Sequence, residues 1–155
     1  MKLIKSAVLI FATLVSLNAI ARTPVPIINY DNISVATSSG KTLQLEQVKQ
    51  AIQSAAGAKA WSIAFQADGK LLATRNERNK HIIVVEIAYS ADKYSLQYKD
   101  STNMKFGEAK EPEVAGLAGL SPKQPIGPGV KVIHPYYNKW VAELKDAIRV
   151  ELLKL

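Results

Sequence analysis

Apolar and polar residues alternate most strictly between His81 and Asn103. Ile83, Val85, Ile87 and Tyr89 take every second position, and Tyr94, Leu96 and Tyr98 resume the pattern after a gap. Period-two alternation in β-branched and aromatic residues predicts two half-buried antiparallel strands. Ser90, Ala91 and Asp92 suit the loop of a hairpin between them. Upstream, Trp61, Ile63, Phe65 and Ala67 alternate in the same way, Asp68-Gly69 is a two-residue hairpin signal, and Lys70 to Asn76 returns with Leu71, Leu72 and Ala73. Arg75 to Lys80 is polar and charged and reads as the loop into the central hairpin. The middle of the chain is thus a four-strand meander.

On either side the period changes. Leu45, Val48, Ala51, Ile52 and Ala55 recur at helical spacing, with Thr42 where an N-cap belongs and Gly57 where a C-terminal cap is expected. Near the end, Tyr137, Trp140, Val141, Leu144, Ile148, Leu152 and Leu155 share one helical face from Pro135 onward, and proline is well tolerated where a helix begins. Ile33 and Val35 predict a short first strand over Tyr30 to Ala36. The prolines of Arg22 to Asn29 predict an extended lead-in. Gly107 to Lys131 holds four of the seven prolines and five of the eight glycines, a density that leaves no periodicity and predicts a long loop. Val114, Leu117 and Leu120 give that loop a means of lying on an apolar surface. The order is β-α-β-β-β-β-α. It predicts an α+β domain in which an antiparallel sheet of four to five strands carries both helices on one face, the other face being mostly polar or covered by the loop. Trp61, Val85, Ile87, Tyr94, Leu96, Trp140, Leu144 and Ile148 are the expected core.

The first 21 residues read differently from the rest. Lys2 and Lys5 precede an apolar run from Ala7 to Leu17, and Ala19-Ile20-Ala21 supplies a small-x-small cleavage site. This is the pattern of a secretory signal peptide, too short in its apolar part for a membrane anchor. Cleavage after Ala21 leaves a single domain from Arg22 to Leu155, periplasmic or secreted and with no transmembrane anchor. Cleavage removes two of the 20 basic residues and none of the 13 acidic ones, leaving a net charge of +5. That excess is modest and dispersed, as on an ordinary solvated surface. The chain has no cysteine, which excludes disulfides, thiol chemistry and lipoprotein acylation and leaves stability to the core alone. A domain of this size buries roughly two-thirds of its unfolded surface, enough to fold as a monomer.

Several segments together carry a resemblance: Gly57 to Trp61, Asp68-Gly69-Lys70-Leu71, His81, Val85 to Tyr89, Tyr94 to Tyr98, Ser101 to Met104, and Ile133-His134-Pro135-Tyr136-Tyr137-Asn138-Lys139-Trp140. From Leu45 to Ile148 the chain resembles a group of small exported proteobacterial envelope proteins, many with the look of lipoproteins. It departs from them in lacking a lipobox cysteine and in a longer Gly107 to Lys131 segment. The resemblance implies an envelope location and brings no catalytic role with it.

Ser101 and Asn103 leave the last meander strand where the long loop begins, and His134 and Asn138 start the final helix where it ends. With Tyr136 as the exposed member of the Tyr136, Tyr137 and Trp140 group, these five residues form the candidate binding corner. Ser101, His134 and Asp100 contain the residue types of a hydrolytic triad. Yet no glycine-framed serine or oxyanion-hole signature accompanies them, and Asp100 and Ser101, adjacent on a strand, point to opposite faces. His81 and His134 with Glu86 lack the close spacing of a zinc site. Arg75, Arg78 and Lys80 form a small basic cluster without the interleaved aromatics of a nucleic-acid surface. No catalytic residue, metal ligand or cofactor is assigned. The expectation is a non-enzymatic binding module whose partner is an envelope component or another protein, with a small hydrolase at Ser101, His134 and Asn138 as the alternative.

Overall fold

A computed structural model describes residues 23–110, 113–115 and 124–155. The segment read as a signal peptide and the middle of the proline-rich stretch, Leu117 and Leu120 included, lie outside the described residues. So does the side chain of Val114.

The fold is α+β, built on the central hairpin of β5 (His81–Tyr89) and β6 (Lys93–Thr102). Its loop closes with Ser90 N–H donating to the Lys93 carbonyl, and the Ser90 hydroxyl donates to Asp92. β3 (Trp61–Phe65) and β4 (Leu71–Glu77) pair beside β5, and β2 (Tyr30–Ser34) pairs with β6. The result is a five-stranded antiparallel sheet in the order β2-β6-β5-β4-β3. The β3–β4 turn is a three-residue loop rather than a two-residue one. Gln66 and Lys70 close it, and Gly69 takes the left-handed conformation (φ +83°) that such loops place on glycine. Arg75 to Lys80 is less of a loop than its polarity implies, because β4 runs on to Glu77 and β5 starts at His81. Only a tight turn remains, with Arg78 and Asn79 both at positive φ. A bulge at Lys99 shifts the register of β6 between Tyr98 and Asp100.

The expected alternation decides the faces. Ile83, Val85, Ile87, Leu71, Ala73, Tyr94 and Leu96 are buried on one side of the sheet, beneath α1 (Leu45–Ala58) and α2 (Tyr136–Leu153). The two helices pack on each other, and α1 reaches β3 and β5 while Tyr137 of α2 meets the edge of Tyr98 on β6. Every residue expected in the core is buried, including Trp61, Trp140, Leu144 and Ile148. The other sheet face is mixed rather than polar: Leu72, Ile82, Val84 and Ala88 stand partly exposed beside an ion-paired row of Lys70, Glu86 and Lys99.

Helix ends differ from the simplest reading of the sequence. Gln44, not Thr42, is the N-cap of α1, and the Gln47 side chain accepts the Gln44 N–H in the manner of a capping box. Leu43 before the cap and Val48 in the helix lie in the same buried cluster, so Leu43 takes the buried place expected of Leu45, which is 52% exposed. At the other end Gly57 is still helical. Ala60 takes the left-handed position (φ +58°) past the Lys59 C-cap, a site that glycine more often fills. In α2, Leu155 falls beyond the helix and is exposed.

The proline-rich lead-in and the described parts of the Gly107 to Lys131 stretch hold more strand than their breakers imply. β10 (Lys131–Ile133) pairs with β1 (Val25–Pro26) on one side and with β7 (Gly107–Glu108) on the other, a three-stranded sheet with Pro26 on its edge. Ala109, Ile126 and Val132 form a small satellite core under it. β8 (Glu113–Ala115) and β9 (Gln124–Ile126) make a further antiparallel pair. Among the described residues no helix is long and apolar enough to cross a membrane.

Candidate functional site

The β4–β5 turn, the end of β6 and the first turn of α2 meet around a cleft of about 470 Å³. The sheet side contributes Arg75, Glu77, Arg78, Lys80 and His81, and Met104 follows β6. The helix side contributes His134, Tyr136, Lys139 and Trp140. The strand and helix periods explain this grouping. Arg75, on the helix-facing side of β4 near its end, reaches the Trp140 ring, and Lys139 and Tyr136 flank Trp140 at the start of α2.

One wall is a ladder of π groups. The His81 and His134 rings lie 6.4 Å apart, His134 and Tyr136 5.0 Å, and Tyr136 and Trp140 5.5 Å in a stacked arrangement. The Arg75 guanidinium closes the ladder 4.9 Å from the Trp140 centroid. Each histidine is oriented by backbone. His81 Nδ1 lies 2.9 Å from the Asn103 carbonyl, which only accepts, so this nitrogen carries the proton. His134 Nδ1 accepts the Tyr136 N–H at 3.2 Å, which puts the proton of the neutral ring on Nε2. Asn103 braces the sheet side of the corner. Its left-handed backbone (φ +57°) turns the chain after β6, and its side chain donates to the Lys80 carbonyl at 2.7 Å. The His134 N–H donates to the Met104 carbonyl.

The charge is one-sided. Arg75, Arg78, Lys80 and Lys139 line the cleft against a single lining carboxylate, Glu77. Glu77 binds Arg75 at 3.1 Å and lies 3.8 Å from the largely exposed Arg78. Arg75 also donates to the Lys59 carbonyl, so it is held on three sides. Lys139 lies 3.9 Å from Glu143 outside the cleft, and Lys80 has no carboxylate partner among the described residues.

Of the five residues singled out in sequence, His134 and Tyr136 line the cleft, and Asn103 does not line it but bonds Lys80 and His81, which do. Ser101 and Asn138 are placed elsewhere. The Ser101 hydroxyl is 3.0 Å from the Tyr98 hydroxyl, on the buried side opposite Ile83, while Asp100 pairs with Val84 and so faces the other way. Glu86 is engaged by Lys70 and Lys99 on the far sheet face and does not join the histidines. Asn138 ties the N-terminal segment to α2, donating to the Pro26 carbonyl at 2.8 Å and accepting the Ile28 N–H at 3.1 Å. Asn138→Ala is therefore expected to cost about 1–2 kcal/mol through two lost bonds, one of them near solvent. It should also speed hydrogen exchange at Ile28; unchanged exchange there would mean the tie does not hold the segment.

Sequence reasoning singled out Arg75, Arg78 and Lys80 as a cluster but had no means of joining Lys139 to it. The one available signal was Lys139 flanked by Tyr136 and Trp140 at the helix start. Comparisons of the chain with protein-family models, with curated proteins and with solved structures find no match.

Proposed function

We propose that the protein is a non-enzymatic binding module of the bacterial envelope, periplasmic or secreted, and that it recognises its partner through this cleft. The observation that carries the reading is the convergence of Arg75, Arg78, Lys80 and Lys139 with two backbone-oriented histidines on a single concave surface. Concave sites with a few convergent polar groups are where ligands bind. Recognition is favoured over hydrolysis because the Ser101 hydroxyl is engaged with Tyr98 and Asp100 lies on the opposite sheet face. The envelope location rests on the N-terminal pattern of Lys2, Lys5 and Ala19-Ile20-Ala21 and on the resemblance to small exported proteobacterial proteins.

Two measurements test the reading. N-terminal sequencing of the exported protein is expected to begin at Arg22; recovery of an intact Met1 on a membrane-bound form would overturn the location. Affinity capture from envelope extract should be lost in an Arg78→Glu, Lys139→Glu double variant, since both side chains are largely exposed and their reversal leaves the core intact. Capture that survives the double reversal would place recognition on another surface.

A further inference from the structure

Resting on the proposal that the cleft is the recognition surface, we infer that its ligand is a phosphate ester, the phosphate seated among Lys80, Lys139 and Arg78. Three observations lead there. First, four cations and one carboxylate line the cleft, a surplus suited to a group that carries more than one negative charge. Lysine ammonium groups bind phosphate as point charges, and the arginine fork adds paired donors.

Second, the aromatic wall does not offer itself as a stacking platform. Trp140 is 9% exposed, with Tyr136 stacked against its ring and Arg75 over it, and Tyr136 has His134 and Trp140 as neighbours. Rings engaged with one another and with a guanidinium have less face left for a ligand, so the wall gives little to a neutral sugar or a flat apolar ring. Third, about 470 Å³ is within the usual range for small-ligand pockets and exceeds the needs of a bare phosphate ion. The phosphate is accordingly expected on a larger group, either a soluble sugar phosphate or the headgroup of an envelope lipid, which share this chemistry.

The test follows the histidine and tyrosine resonances of the full exported chain during titration. The probes are glucose 6-phosphate, glucose, inorganic phosphate, and vesicles of phosphatidylcholine with and without phosphatidic acid. Glucose 6-phosphate is expected to shift His81, His134 and Tyr136 saturably. Inorganic phosphate should do so more weakly, glucose should not, and added salt should weaken both. Lys80→Glu and Lys139→Glu, each on the exposed rim, should each lower affinity by about tenfold or more. Vesicle binding that depends on phosphatidic acid and on these lysines assigns the headgroup source. Its absence, with glucose 6-phosphate bound, assigns the soluble one.

The inference is overturned if glucose binds as well as its phosphate, if the charge reversals leave affinity unchanged, or if no phosphate-bearing probe shifts the cleft. Should a neutral probe shift the same resonances, the cleft stands as the recognition surface and only the phosphate chemistry fails. Should envelope capture also survive the cleft variants, both fail together.

Discussion

Trp140→Ala is expected to lower the unfolding free energy by about 3–5 kcal/mol, the usual cost of emptying a large buried aromatic site. The indole is 9% exposed and joins the core that α1, α2 and the sheet share. Its loss has a second consequence on the cleft side. Arg75 would lose the ring it covers at 4.9 Å, a contact worth about 0.5–1 kcal/mol at a partly exposed site. The Nε of Arg75 is buried with no partner among the described residues, so packing on the indole is part of what holds that guanidinium in place. Urea unfolding of the variant should show a lower midpoint at an unchanged slope, since the same surface is exposed on unfolding. Trp140→Phe, which keeps a ring between Tyr136 and Arg75, should recover more than half of the loss. A cost under about 1 kcal/mol would place the indole outside the core and return it to consideration as a ligand platform.

The parts of this fold that the sequence discloses are those in which a long element repeats one period. Ile83, Val85 and Ile87 against Tyr94, Leu96 and Tyr98 give a hairpin and its buried face. Tyr137, Trp140, Val141, Leu144, Ile148 and Leu152 give the inner face of α2. What the sequence hides is held by partners far along the chain. β1 and β10 are two and three residues long, too short for any period, and exist because Val25 pairs with Ile133 and Pro26 with Val132. β7 is likewise defined by β10. The caps shift for a local reason: Gln44 with Gln47 caps α1 where Leu43 can be buried, which Thr42 as the cap would not allow.

The site follows the same rule. His134 and Tyr136 were legible because a loop–helix corner concentrates polar groups, and Asn103 because a strand ends there. Asn138 carries the same residue type a turn later. Its partners, though, are Pro26 and Ile28 at the other end of the chain, and no local pattern foretells that bond. The cationic cluster of the β4–β5 turn becomes a cleft only when α2 lies across the sheet and brings Lys139 to it. Tertiary packing, rather than any motif, assembles the proposed recognition surface.

Alkaline pH should unfold the protein through its buried tyrosines, Tyr94 first among those whose effect can be isolated. Burial pushes the Tyr94 hydroxyl up to about 12, with the Asp146 carboxylate adding to the rise and Arg149 opposing it. Burial also raises Tyr137, with Tyr98 and Tyr30 adding to it. An unfolded tyrosine titrates near pH 10, so below about pH 10 both states keep the proton and stability is undiminished. Above it the unfolded chain releases the proton first, and stability falls as pH rises from the unfolded value towards the folded one. For Tyr94 a difference of about two pH units corresponds to about 3 kcal/mol. Tyr94→Phe isolates this contribution. At about pH 8 the variant should lie within about 1 kcal/mol of the parent, because the bond it loses to the Lys145 carbonyl, at 3.5 Å, is weak. By about pH 12 the order should reverse, the phenylalanine variant being the more stable by about 1–2 kcal/mol while the remaining tyrosines and lysines act on both proteins alike. Urea unfolding of the two proteins across this range, with tyrosinate absorbance followed in parallel, decides it. Stability curves that fall in parallel would mean that the Tyr94 hydroxyl reaches water in the folded state.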